Sequence, residues 1–202
     1  MKKFVILILA AGNSSRMGSV KQLLPWKNGT LLENAIQQAT ASHANEVIVI
    51  LGAHAEKIKK NKPIHGVKYL ENKNWASGLG TSIAFGVQYI QNHPNKPKGV
   101  LLMLADQPLV NTAFLNEMML RFEEAPNSII ATKYKNRYGV PALFSPDYFR
   151  ELAMLHDDFG AKMIIENYKD RILAMKSAGK TADIDSPEDY VRLKNYNLKN
   201  ES

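Results

Sequence analysis

Phe4-Val5-Ile6-Leu7-Ile8-Leu9-Ala10-Ala11-Gly12-Asn13-Ser14-Ser15-Arg16-Met17-Gly18 is the stretch that decides the fold. An apolar, largely β-branched run that stops at a glycine reads as a strand buried on both faces, followed by a polar loop. Lys2-Lys3 ahead of it gives the outline of an export signal, but the run is far short of the roughly 20 apolar residues of a spanning helix and ends in a loop with a cation. Small residues at 10, 11 and 12 let a ligand come close to the backbone, and loop N–H groups with serine hydroxyls can form a concave anion site. Arg16 and Lys21 add positive charge on the same segment, one able to fork onto phosphate oxygens and the other a point charge. Taken alone, the loop reads equally as an ordinary Gly/Ser turn.

The same grammar repeats outward from this unit. Strand-like runs fall at 4–10, 46–52, 67–70, 99–104, 128–133, 141–144 and 171–175, with helical patterns at 31–40, 82–91, 112–123, 146–155, 161–168 and 187–196. Thr112 before Ala113-Phe114 and Ser186 before Pro187-Glu188-Asp189 read as helix starts. Strands that are apolar throughout, alternating with amphipathic helices, predict a single α/β, Rossmann-like domain over 1–202, with a mostly parallel sheet covered by helices on both faces. The tail from Lys194 is polar and expected to fray.

The chain has 202 residues, 45% of them hydrophobic, which is enough for one good core. It has no cysteine, so disulfides and thiolate zinc sites are excluded and a cytoplasmic location is expected. The net charge of +7 favours anionic ligands. The lysines are scattered, with no aromatic-interleaved basic stripe, so neither nucleic acid nor a membrane is expected as a partner. The five histidines show no ligand spacing.

In an open α/β sheet, ligands bind beyond the carboxyl ends of the strands. Two acidic segments lie at such places. Asp106 directly follows Val100-Leu101-Leu102-Met103-Leu104-Ala105, where a carboxylate is costly unless it has a partner such as a hard cation, or serves as a cap or turn residue before Pro108. Asp183 and Asp185 alternate in an extended segment, so at most one faces a shared site without a bend. Asn74-Trp75-Ala76-Ser77-Gly78 and the residues to Ser82 open a helix, where an anion or a ribose can bind. Asp157-Asp158-Phe159-Gly160 reads as a helix start. The first loop is neither a Walker A loop, since Ser19 follows Gly18, nor a dinucleotide fingerprint; Gly78-Leu79-Gly80 fails that too, with Ile83 at the third glycine.

Five ordered blocks together resemble the MobA-like nucleotidyltransferases, most closely the molybdenum cofactor cytidylyltransferase branch. They are Leu9 through Leu24, Asn74-Trp75-Ala76-Ser77-Gly78, Leu104-Ala105-Asp106-Gln107-Pro108-Leu109-Val110, Gly139-Val140-Pro141-Ala142-Leu143-Phe144, and Asp183-Ile184-Asp185-Ser186-Pro187-Glu188-Asp189-Tyr190. The resemblance implies a nucleotide site built from Leu9, Ala10, Ala11, Gly12, Ser14, Arg16, Lys21, Asn74, Gly78, Ser82 and Asp106. It implies catalytic roles for Lys21, Arg16 and Asp106, and Mg²⁺ held by Asp106 and Asp185. Ala10-Ala11-Gly12 in place of Ala-Gly-Gly implies CTP rather than GTP. The implied reaction is transfer of CMP to a phosphate-bearing acceptor, a molybdopterin-type pterin phosphate, with a molybdoenzyme as partner. Guanylyl or sugar-phosphate transfer, or a non-catalytic nucleotide-binding accessory protein, are the alternatives. The chain departs from the family at Gly80, where serine is usual, at Ala84, where arginine is frequent, and at Asp157-Asp158-Phe159-Gly160-Ala161-Lys162, where Gly-Asp-x-Gly-Ala-Arg is usual; these bear on the acceptor.

Overall fold

The computed structural model describes residues 4–61, 64–93, 96–177 and 179–200, so Lys2 and Lys3 and the other ends of the expected domain lie outside it. In chain order the elements are β1 (Phe4–Ala10), β2 (Pro25–Trp26), β3 (Gly29–Thr30), α1 (Leu31–Thr40), β4 (Glu46–Leu51), α2 (Ala55–Lys60), β5 (Lys68–Glu71) and α3 (Leu79–Gln91). They continue with β6 (Gly99–Leu104), α4 (Thr112–Glu124), β7 (Ile129–Lys133), β8 (Tyr138–Phe144), α5 (Phe149–Leu152), α6 (Lys162–Asn167), β9 (Ile172–Lys176) and α7 (Pro187–Asn200).

Seven strands form one sheet in the order β5-β4-β1-β6-β8-β7-β9. β1 lies in parallel register between β4 and β6, while β8 runs antiparallel to both β6 and β7. The expected mostly parallel, two-sided architecture is therefore present. β1 shows why: all of its residues are buried, and they alternate between two cores. Phe4, Ile6, Ile8 and Ala10 face the layer of α1 and α4, and Val5, Leu7 and Leu9 face the layer of α3, α5 and α6. A strand covered on both sides has no face on which to be polar.

Boundaries moved where local chemistry was missed. α3 starts at Leu79, not Ser82, because Gly78 adopts φ 109° and its carbonyl accepts from the Thr81 N–H at 3.2 Å. The cap of α4 is Asn111, whose side chain accepts from Phe114 N; Thr112 instead bonds Gln38 across to α1. The reading of 146–155 as one helix is replaced by a 3-10 turn and the short α5. α2 and the small β2–β3 hairpin carry too few apolar residues to show a period. α7 continues to Asn200, past the Lys194 where fraying was expected. Its Leu193 joins Trp26, Leu31 and Ile184 in a third small core, and Tyr190 Oη donates to Pro25 O at 2.6 Å. That core clamps the hairpin and α7 beside the carboxyl ends of β1 and β6. Among the described residues no helix is long and apolar enough to cross a membrane.

Candidate functional site

β1 connects onward to β4 on one side, while β6 lies on its other side, so a crevice opens beyond the carboxyl ends of β1 and β6. A cleft of about 470 Å³ occupies it, and the polar loop after β1 forms one wall. That loop is pinned from within. Gln22, buried in a 3-10 turn, donates through Nε2 to the carbonyls of Ala10 at 2.9 Å and Gly12 at 3.1 Å, and its Oε1 accepts from Ser14 Oγ at 3.3 Å. Ser14 Oγ in turn accepts from Lys21 N at 3.0 Å. These bonds hold Ser14 at φ 56°, a left-handed conformation that costs a non-glycine residue free energy. The loop after β4 laces it from outside: Ala53 N donates to Ala11 O at 3.1 Å, and His54 Nε2 sits 2.9 Å from Asn13 O. That ring nitrogen carries the proton, because a carbonyl only accepts. Gly52 makes this lacing possible, since a Cβ there would lie 2.6 Å from Trp75 Cβ and 2.7 Å from Ala11 O.

The acidic side is built from two backbone segments lying together, joined by Ile184 N donating to Asp106 O at 3.0 Å. Each segment presents alternate residues to opposite sides. Asp106 and Asp185 face the cleft; Ile184 is fully buried; Gln107 and Asp183 face away, and Gln107 Nε2 donates to Asp183 Oδ1 at 2.8 Å. Asp185, and not Asp183, therefore shares the cleft with Asp106. Lys21 Nζ bridges the pair, 2.8 Å from Asp106 Oδ2 and 3.4 Å from Asp185 Oδ1, and Arg16 reaches Asp185 Oδ1 at 3.3 Å. The Lys21 side chain is only 15% exposed, whereas that of Arg16 is 72% exposed. Lys21 thus lies within the cleft, held by the two carboxylates, and Arg16 lies at its exposed mouth. Burial pushes the Asp183 carboxyl up to about 6, and the negative charge of Asp106 pushes it the same way.

A second cavity of about 350 Å³ adjoins the first, with Leu79, Leu104 and Asp158 lining both. The partition includes the loop before α6, which rests on the start of α3. Gly80 N donates to Asp157 O at 2.7 Å, and a Cβ on Gly80 would lie 2.6 Å from that oxygen. Only a residue without a Cβ leaves the Asp157 carbonyl this place.

Of the residues expected to contact a nucleotide, all but Asn74 line the first cleft, together with Asp185. Asn74 instead starts a 3-10 turn, with its N–H bonded to Asn72 Oδ1 and its carbonyl accepting from Thr81. Ser82 is in the cleft wall but buried, accepting from Asn72 Nδ2 at 3.1 Å. Sequence reasoning missed Gln22; Trp75 and Asp158, noted only as parts of helix starts, also line the cleft. An amide between Lys21 and Leu23, just past a glycine loop, was the available signal for Gln22.

The donor set suits a hard divalent cation. Asp106 Oδ1 is buried with no hydrogen-bond partner among the described residues, and Asp106 Oδ2 and Asp185 Oδ1 both reach Lys21 Nζ beside it. Mg²⁺ takes one or two carboxylates and completes its shell with phosphate and water. Among the described residues no group of three or more His, Asp or Glu side chains could hold a metal by itself.

The family model described as the MobA-like NTP transferase domain matches residues 6–172. The chain is 28% identical to the purine catabolism protein PucB of Bacillus subtilis, over 91% of this chain and 92% of that one. It is 24% identical to the molybdenum cofactor cytidylyltransferase of Escherichia coli, over 93% and 94%. Among solved structures, that of Rv0371c from Mycobacterium tuberculosis superposes with a TM-score of 0.83 at 29% identity, over 96% of this chain and 98% of that one. Rv0371c has also been solved as a manganese complex.

Proposed function

We propose that this chain, which belongs to the MobA-like NTP transferase family and is a nucleotidyltransferase of that family, transfers CMP from CTP to the phosphate of a pterin-type acceptor and releases pyrophosphate. The observation that carries the reading is Lys21, held between Asp106 and Asp185 at the foot of a pinned glycine loop. An acceptor phosphate oxygen bonds to the α-phosphorus of CTP, and the bond from that phosphorus to the bridging oxygen of pyrophosphate breaks. N–H groups of the loop after β1 orient the phosphates. Lys21 moves from the carboxylates onto the phosphates and stabilises charge at the α-phosphate; Arg16 does so at the leaving group. Asp106 and Asp185 would hold Mg²⁺, which would supply charge neutralisation and orientation for the phosphates. Most of the catalytic effect in such a site is alignment and preorganised charge.

Ala10-Ala11-Gly12 and the relatedness to the Escherichia coli cytidylyltransferase support CTP and a molybdopterin acceptor. On this reading a molybdoenzyme receives the product, and the reaction runs in the cytoplasm, where nucleoside triphosphate is supplied. The test is pyrophosphate release with Mg²⁺ and each of CTP, GTP, ATP and UTP, with molybdopterin present or absent. Release with CTP that depends on the acceptor is expected. Release with another nucleotide overturns the base assignment and keeps the mechanism; nucleotide binding without any release points to a different acceptor or to a non-catalytic accessory protein.

A further inference from the structure

The first turn of α7 does more than start a helix. Asp189 N donates to Ser186 Oγ at 3.2 Å, while Asp189 Oδ2 accepts from Ser186 N at 3.1 Å and lies 3.2 Å from Ser186 Oγ. A side chain three residues past the N-cap that reaches back to the N-cap N–H completes a capping box. The same Oδ2 also accepts from Asp185 N at 3.3 Å, one residue before the cap, and a helix start does not require that bond. Asp189 Oδ1 accepts from Arg192 at 2.6 Å, so both oxygens of the carboxylate are engaged. The turn itself is anchored: Tyr190 Oη donates to Pro25 O at 2.6 Å, and Leu193 is buried with Trp26, Leu31 and Ile184.

Asp185 depends on such support. Its side chain is 47% exposed, and among the described residues its carboxylate is reached by Lys21 and Arg16, the two cations that the proposed reaction sends to the phosphates. Once they leave, the direction of the carboxylate rests on its backbone. That backbone is tied on one side by Ile184 N to Asp106 O at 3.0 Å, and on the other by its own N–H to Asp189. Resting on the reading of Asp106 and Asp185 as the Mg²⁺ pair, we propose that Asp189 is a positioning residue for the metal site. It lies outside the cleft lining, and it keeps Asp185 turned to the cleft with Asp106 while Lys21 and Arg16 engage the nucleotide. Partners that orient a metal ligand from behind typically control affinity by about 10–100-fold. Asp189 grips the backbone of the ligand, not its carboxylate, so its effect belongs at the lower end of that range.

Electron paramagnetic resonance of free Mn²⁺ tests this on the full chain, with and without CTP, at a temperature below the melting transition of every variant. Asp189→Ala should bind Mn²⁺ about tenfold more weakly than the parent. Asp189→Asn, which keeps an oxygen for the N–H groups of Asp185 and Ser186, should stay within about threefold of the parent and so separate geometry from charge. Leu193→Ala loosens α7 in its small core but leaves the Asp189 bonds in place; it should lower the melting temperature and bind Mn²⁺ like the parent. Parent-like affinity in Asp189→Ala, an Asp189→Asn as weak as Asp189→Ala, or a Leu193→Ala that loses as much affinity as Asp189→Ala overturns the proposal. A parent that takes up no Mn²⁺, with or without CTP, overturns the metal pair itself and this role with it.

Discussion

Gln22→Met keeps the length and shape of a buried side chain and removes every hydrogen bond it makes to the glycine loop. The native amide satisfies Ala10 O at 2.9 Å and Gly12 O at 3.1 Å, and steadies Ser14 at 3.3 Å. A net hydrogen bond contributes about 0.5–1.5 kcal/mol, and a buried carbonyl left without a donor costs about 1–3 kcal/mol. Ala10 O is in the buried strand, and Gly12 O, in an exposed loop, can turn to water, so the loss comes to about 2 kcal/mol. For a chain of this size that lowers the melting temperature by about 4–8 °C. The loop then samples conformations other than the one with Ser14 at φ 56°, and apparent nucleotide affinity falls by the fraction remaining competent. If about 1.4 kcal/mol of the cost falls on the loop, CTP binds about tenfold more weakly. Differential scanning calorimetry and CTP titration with Mn²⁺ check both numbers. A variant that melts with the parent and binds CTP equally well would refute the idea that Gln22 sets the loop.

Lys21→Ala and Asp106→Ala should each slow turnover at least about a hundredfold with the fold kept, since one preorganised contact to developing charge is worth roughly 2.7–4 kcal/mol; near-normal turnover in either would sink the assignment. Because Lys21 Nζ bridges both carboxylates, Lys21→Met should also bind Mn²⁺ more tightly than the parent in the absence of nucleotide, and Asp106→Asn more weakly, as read by electron paramagnetic resonance. Gly80→Ser puts a Cβ 2.6 Å from the backbone oxygen of Asp157, which cannot rotate away as a side chain would. The overpacking costs about 1–3 kcal/mol and lifts the partition between the cavities; unchanged thermal stability would show that the loop is not seated there.

The pattern of buried runs determined the sheet. β1, β6 and α1 match their expected bounds, because an element covered on both sides, or one with a clear apolar stripe, writes its environment into every residue. That the loop after β1 and Asp106 would lie together was legible for a related reason: each follows an apolar strand, and the carboxyl ends of such strands open on the crevice of an α/β sheet. Other features were decided only by tertiary structure. Asp185 shares the cleft with Asp106, and Asp183 does not, because Ile184 N bonds Asp106 O and so sets which of two alternating carboxylates points where. Gln22 acquires its role from carbonyls that curl back onto it, and Asn74 is left off the cleft because its backbone is taken up in a local turn. The second cavity is assembled from β8, the α3 start, the loop before α6 and the Asp183 segment, pieces far apart in sequence whose meeting no local pattern shows. Sequence encodes burial and local turn chemistry residue by residue; which polar groups converge depends on how distant backbones pair, and only the folded chain brings them together.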